Sequence, residues 1–326
     1  MKTKGFIDLH THGIGRCDTR TGDHEDILKM AELYGRKGTS AILPTIYPAS
    51  INVMRKNMEA VRRAREMQDS EYRMHPPQSP LNKGGIKGGY CASCIMRHAS
   101  CILGVHLEGP FLNPLRCGAL NKNSFIMPSV SSLRRLVDGY EDFVKIITIA
   151  PEMKGALKVI ERCAAIGIKV NMGHSDATCN EAIDGKKAGA TGITHIFNAM
   201  RPFHHREPGL AGFGLIDENL YVEVIADGIH LHPKTIELVF ATKRLDRIII
   251  VSDSVKSNPP IPPLAKGGKG GFSGKKGMPI YNEKGILAGN GMTISDTVKA
   301  LKGIGIPEAE IIEAAVDNPR RYIGIV

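Results

Sequence analysis

Eight short runs rich in Ile and Val recur along this chain, and five of them end on residues of the kind that hold a divalent metal. The eight are residues 6–10, 40–46, 102–108, 144–149, 168–173, 191–195, 221–226 and 248–253. Most are continuously apolar, as strands buried on both faces must be, because such a strand has no solvent side to fill with polar residues. Patterns of helical period fall between most of them, at 26–37, 51–67, 131–137, 154–166, 180–188 and 232–242, with a tail helix at 308–316. Several end at a glycine, as in Ala165-Ile166-Gly167, where a residue without Cβ takes the left-handed turn that stops a helix. Strands alternating with helices predict an α/β fold, a (β/α)8 TIM barrel. An open doubly wound sheet is the alternative, but no Gly-x-Gly-x-x-Gly turn follows the first strand.

The five strand ends are His10-Thr11-His12, Glu108, His174, His195 and Asp253. Taken singly, each has an ordinary explanation. A histidine after a strand is more often a hydrogen-bonded structural residue than a ligand. Asp253 could cap a turn, and Glu108-Gly109-Pro110 could be a tight bend. Those explanations would have to hold independently at every site, whereas one metal centre explains them together. Strand alternation puts the rings of His10 and His12 on one side, and the C-terminal ends of barrel strands share one mouth. Imidazole and carboxylate suit a zinc- or iron-class ion. Such an ion makes water a nucleophile near neutral pH. A carboxylate beside that water must then take a proton and pass it to a leaving nitrogen. Asp253, the carboxylate on the last strand, is the candidate. The reaction class expected is hydrolysis of an amide or related bond.

The 326 residues suffice for one large α/β domain or two smaller ones. The net charge of +10 suggests nucleic acid until its distribution is read. Residues 73–100 hold four Lys or Arg and residues 256–276 hold five, with no acid in either, so the rest of the chain is nearly neutral. Both stretches are rich in Gly and Pro and resemble each other, Pro80-Leu81-Asn82-Lys83-Gly84-Gly85 beside Pro263-Leu264-Ala265-Lys266-Gly267-Gly268. They read as solvated inserts at 74–100 and 257–277 in a single barrel domain spanning 1–326, and not as a nucleic-acid surface. No apolar run approaches membrane-spanning length, and residues 1–5 lead into the first strand without an apolar signal core, so a cytoplasmic protein is expected. Seven cysteines do not make a disulfide framework. Cys91, Cys94, His98 and Cys101 have zinc-type residues in a compact run, but the spacing is tight for a zinc knuckle and Cys101 is expected to start a barrel strand.

Longer motifs carry a family resemblance. They are Gly104-Val105-His106-Leu107-Glu108-Gly109-Pro110-Phe111, Gly173-His174-Ser175-Asp176-Ala177-Thr178, Thr194-His195-Ile196-Phe197-Asn198-Ala199-Met200, Arg206-Glu207-Pro208-Gly209-Leu210, Ala226-Asp227-Gly228-Ile229-His230 and Val251-Ser252-Asp253. In order and spacing the chain resembles the amidohydrolase superfamily and, within it, the N-acetylglucosamine-6-phosphate deacetylases. The resemblance runs from Gly5 to Gly324 apart from the two inserts.

It implies metal-dependent removal of the N-acetyl group in amino-sugar catabolism, with one or two divalent ions per subunit. Glu108, His174 and His195 would be the principal ligands, and His10 and His12 with Asp253 a second site. Asp253 would be the catalytic base and acid. Asn198, Ala199 and Arg206 would bind substrate near its phosphate, and His230 the sugar and its acetyl group. The guanidinium fork of Arg206 suits two phosphate oxygens. The partner implied is a small sugar phosphate, with no nucleic acid and no membrane, and a homodimer is allowed for. The chain departs from the family in lacking most of the small β-sandwich, in its two inserts, and in Ser252-Asp253-Ser254 where Thr-Asp-Ala is more familiar. Two other readings stay open: another N-acyl or cyclic amide substrate on the same centre, or an inactive, truncated relative acting as a binding protein.

Overall fold

The computed structural model describes residues 5–74, 99–256, 279–282 and 285–325. The insert at 257–277, most of that at 74–100, and Cys91, Cys94 and His98 lie outside the described residues. Eight parallel strands follow one another around the molecule: β1 (Phe6–Thr11), β2 (Thr39–Ile46), β3 (Val105–Glu108), β4 (Val144–Ile149), β5 (Lys169–Met172), β6 (Gly192–Ile193), β7 (Tyr221–Ile225) and β8 (Ile248–Val251). Each pairs with the next in sequence order. β8 returns to β1 just past its end: Asp253 N–H donates to His10 O (2.9 Å) and His12 N–H to Ser254 O (2.8 Å). The ring is therefore closed at the end where the ligand candidates sit, as a TIM barrel requires.

Cys101 does start a strand. Cys101–Ile102 pairs with β2 before the chain kinks into β3. The kink is at Gly104, whose φ is +144°, and a Cβ there would run into Phe143 O. Inside the barrel, Ile7, Leu9, Ala41, Leu43, Ile146, Ile225, Ile249 and Val251 interdigitate. The larger apolar layer lies between strands and helices and holds Met30, Tyr34, Met54, Leu107, Ile160 and Val222 among others. The chain finishes in Glu308–Ile312, a π-helical turn Glu313–Asp317 and Asn318–Ile323. Asn318 Nδ2 donates to Leu245 O (2.7 Å) and Ile248 O (2.8 Å), which fastens this segment across the N-terminal end of β8. Tyr322 plugs that end, packed with the barrel interior.

Two helices of eight residues or more have no counterpart in the sequence pattern, Gly209–Ile216 and Ile294–Gly303. The first is Gly-Leu-Ala-Gly-Phe-Gly-Leu-Ile and is buried from Gly209 through Leu215. A helix covered on all sides has no polar face, so its 3.6-residue period leaves no trace. Its glycines let it sit against β6, since a Cβ on Gly214 would overlap Ile193. The second begins at a Thr293–Asp296 capping box beyond the Gly/Pro-rich stretch that masks it in sequence. The strands also end earlier than expected on the ligand side. His174, His195 and Asp253 have φ of +47°, +29° and +46° and lie just past β5, β6 and β8. Beside the barrel, the described residues hold only two-stranded ladders, Gly13–Ile14 with Cys17–Asp18 and Pro279–Tyr281 with Leu287–Asn290. No described helix is long and apolar enough to cross a membrane.

Candidate metal centre and active site

The six candidate ligands meet at one point above the barrel. Glu108 is central: its Oε1 lies 3.1 Å from His174 Nε2 and 3.2 Å from His195 Nε2, and its Oε2 lies 3.2 Å from His12 Nε2. His10 Nε2 is 3.5 Å from Glu108 Oε1, and both His10 and His12 place Nε2 3.5 Å from Asp253 Oδ1. The side chains of His10, His12, Glu108, His174 and His195 are at most 6% exposed, whereas Asp253 is 16% exposed. Asp253 is thus the member of the set that looks out of the mouth.

The far nitrogens of three rings are committed elsewhere, which decides what the near nitrogens can do. His174 Nδ1 donates to Arg116 O (2.9 Å), His12 Nδ1 to Thr45 O (3.0 Å) and His10 Nδ1 to Glu223 Oε2 (3.2 Å). A neutral ring that donates through Nδ1 has only a lone pair at Nε2. Those lone pairs face carboxylate oxygens that also only accept, and His174 Nε2 and His195 Nε2 face each other at 3.2 Å. Acceptors aimed at acceptors inside a barrel call for positive charge between them, from a bound cation or from a proton. The donor set, mixed imidazole and carboxylate, fits a divalent ion of the harder to borderline kind. Two groups of three ligand atoms form around Glu108, His174 and His195 and around His10, His12 and Asp253.

The titration behaviour agrees. Burial alone would raise Glu108, but His12, His10 and His174 overturn it and hold the carboxyl well below the usual carboxylate range. Burial would depress His10, yet Asp253, Glu108 and Glu223 outweigh it and raise the ring well above its ordinary value. Burial lowers His195. A third group, His10, His106 and Glu223, is not a metal site. Both nitrogens of His106 are used, Nδ1 on Leu9 O (3.0 Å) and Nε2 on Thr148 Oγ1 (2.9 Å).

Among the described residues, the five non-glycine residues with a left-handed backbone, His174, His195, Phe197, Ala199 and Asp253, all belong to this face. Such conformations cost about 1–3 kcal/mol each and persist where the surroundings enforce them. Here hydrogen bonds do so: Asn198 N–H donates to His195 O (3.0 Å), Ser175 N–H to Ala199 O (3.2 Å) and Asp253 N–H to His10 O (2.9 Å). Among the substrate candidates, Asn198 and Ala199 therefore ride on the turn that carries His195. His230 is fixed by Asp227, whose Oδ2 accepts from His230 Nδ1 (2.7 Å) and from Asn290 Nδ2, leaving Nε2 for a ligand. Arg206 is exposed, and the structure records no ion pair or contact that joins it to the metal ligands.

Several residues of the site were missed in the sequence. Glu223 is a lone acid inside Tyr221-Val222-Glu223-Val224-Ile225, and Asn171 a lone amide in Val170-Asn171-Met172. A polar residue within an otherwise buried strand was the available signal. Tyr47, stacked on His12 with centroids 3.8 Å apart, and the Arg116 carbonyl gave none.

No family model matches the chain. Its sequence is 31% identical over 331 residues to the N-acetylglucosamine-6-phosphate deacetylase of Bacillus subtilis strain 168, covering 98% of this chain and 75% of that one. The solved N-acetylglucosamine-6-phosphate deacetylase of Thermotoga maritima aligns at a TM-score of 0.76 and 28% identity, over 99% of this chain and 78% of that one. The Mycobacterium smegmatis enzyme, solved as a variant in complex with N-acetyl-D-glucosamine-6-phosphate, gives 0.74 and 26% over the same shares.

Proposed function

The chain belongs to the N-acetylglucosamine-6-phosphate deacetylase family of the amidohydrolase superfamily, and from that membership we infer that it hydrolyses N-acetylglucosamine 6-phosphate to glucosamine 6-phosphate and acetate, in amino-sugar catabolism. The observation that carries the reading is the meeting of Glu108 Oε1, His174 Nε2 and His195 Nε2 within 3.2 Å, where the His174 ring, its Nδ1 given to Arg116 O, turns a lone pair inward. These three hold the principal ion. His10, His12 and Asp253 hold a second, and both are of the zinc or iron class. A bound ion supplies the acidity that makes water a nucleophile near neutral pH and polarises the amide carbonyl.

The chain's own groups do the rest. Asp253, the most open carboxylate of the set, accepts the proton of the attacking water. As the water oxygen bonds to the acetyl carbon, the C–N bond breaks and Asp253 delivers that proton to the departing nitrogen. His230, oriented by Asp227, meets the sugar and its acetyl group. Asn198 and Ala199 present the turn next to His195, and Arg206 is free to close on the phosphate. A phosphorylated sugar fits a cytoplasmic enzyme, and the assembly proposed is a homodimer.

The test is acetate release from N-acetylglucosamine 6-phosphate by metal-loaded protein, beside the unphosphorylated sugar, the galacto epimer and N-acetyl amino acids. A higher kcat/KM for the phosphorylated gluco substrate is expected. Turnover only of an N-acyl amino acid or cyclic amide would move the protein to the other reading, and no turnover of any would point to a binding protein.

A further inference from the structure

A polar chain runs through the barrel interior from its plugged end to the metal face. Tyr322 Oη is 3.0 Å from Thr191 Oγ1 and donates to Asn171 Oδ1. Asn171 Nδ2 donates to Glu223 Oε1 (2.8 Å), and Glu223 Oε2 accepts from His10 Nδ1 (3.2 Å). None of Tyr322, Asn171, Glu223 and His10 is more than 3% exposed. The donors converge on the Glu223 carboxylate from both sides, Asn171 from one and His10 from the other. Gly192, in β6, leaves room for it: a Cβ there would overlap Asn171 Oδ1 and come within 2.7 Å of Tyr322 Oη. Apolar residues would fill a barrel core at less cost than a buried carboxylate with three polar companions. Such a network is retained where it fixes something that packing alone cannot.

We propose that Tyr322 and Asn171 are positioning residues for the second metal ion, acting through Glu223 on His10. A carboxylate held on two sides has one orientation. It accepts from Nδ1 of His10, fixes the ring's rotation and tautomer, and leaves the Nε2 lone pair as the atom that would hold the ion. Outer partners of a ligating histidine commonly contribute 10- to 100-fold in metal affinity. Here that partnership extends to the helix Asn318–Ile323, so the end of the chain and the metal face are coupled.

The inference rests on the two-ion reading, and the experiment separates the two. Affinities of both ions are measured by competition with a chelator for the wild type, Tyr322→Phe, Asn171→Leu and the double variant. Thermal unfolding of each metal-free form checks that it is folded. Expected are an about tenfold loss at the His10 site for Tyr322→Phe and an about 100-fold loss for Asn171→Leu. The ion on Glu108, His174 and His195 should stay within about twofold, and the double variant should lose no more than Asn171→Leu, as members of one chain must. Equal weakening of both ions, additive losses, or an unchanged His10 site in folded Asn171→Leu overturns the relay. A wild type that binds a single ion overturns the two-ion reading and the relay with it.

Discussion

At the residue scale, Asp253 and His195 should separate chemistry from metal binding. Asp253 is one acceptor at the edge of the set, and its removal leaves Glu108, His174 and His195 intact. Asp253→Asn is expected to lower kcat by at least about 100-fold, the usual loss when a general acid–base is removed, with the principal ion retained on elemental analysis. His195→Ala removes one of three ligands and should empty that site, since affinity depends steeply on ligand number; a fully loaded variant would contradict the assignment.

His230 gives a pH signature. Burial alone would lower its ring, but the Asp227 carboxylate overturns this and raises it above 6.5. For Asp227, burial would raise the carboxyl, and His230 with two backbone N–H groups lowers it below 3.8. A histidine raised in the folded state contributes stability that is fully present below its unfolded value and lost as pH rises through the folded one. The aspartate's share is present above its unfolded value and lost as pH falls through its depressed one. The gap in melting temperature between the native chain and His230→Gln should therefore be widest near pH 5–6 and shrink as pH rises through neutrality.

At the scale of elements, the helix Gly209–Ile216 depends on close approach. A methyl at Gly214 would overlap Ile193, which precedes His195 by two residues. Gly214→Ala should cost about 1–3 kcal/mol, the range for overpacking a filled core. Denaturant unfolding would read it, and a neutral result would mean that the helix can retreat from β6. The six other α-helices between strands were legible because one face is wet and the other dry. This one was not, because burial on every side erases the contrast.

At the scale of the molecule, the inserts at 74–100 and 257–277 carry +7 of the net charge of +10 and no acidic residue. Deleting residues 76–89 should alter solubility and salt dependence while leaving kcat within about twofold, because the segment holds two lysines and no candidate site residue. Deleting 259–274 is the sharper test, since this segment follows β8 and Asp253 in the sequence. A tenfold fall in kcat with the fold intact would show that it takes part in turnover.

The sequence by itself determined the barrel and the meeting of its ligands. Buried strands must be apolar throughout, so a His, Glu or Asp closing such a run stands out, and the fold's symmetry brings successive strand ends to one mouth. It also marked Asp253 as distinct, being the last carboxylate in the series. Tertiary structure alone decided which nitrogen faces the centre in three of the rings, because Thr45, Arg116 and Glu223 are brought to His12, His174 and His10 by other strands and loops. It decided too that His106 is structural although it lies two residues from Glu108 on the same strand. Hydrogen-bond partners 33 to 213 positions apart leave no local pattern, and a histidine's role is set by what its second nitrogen meets.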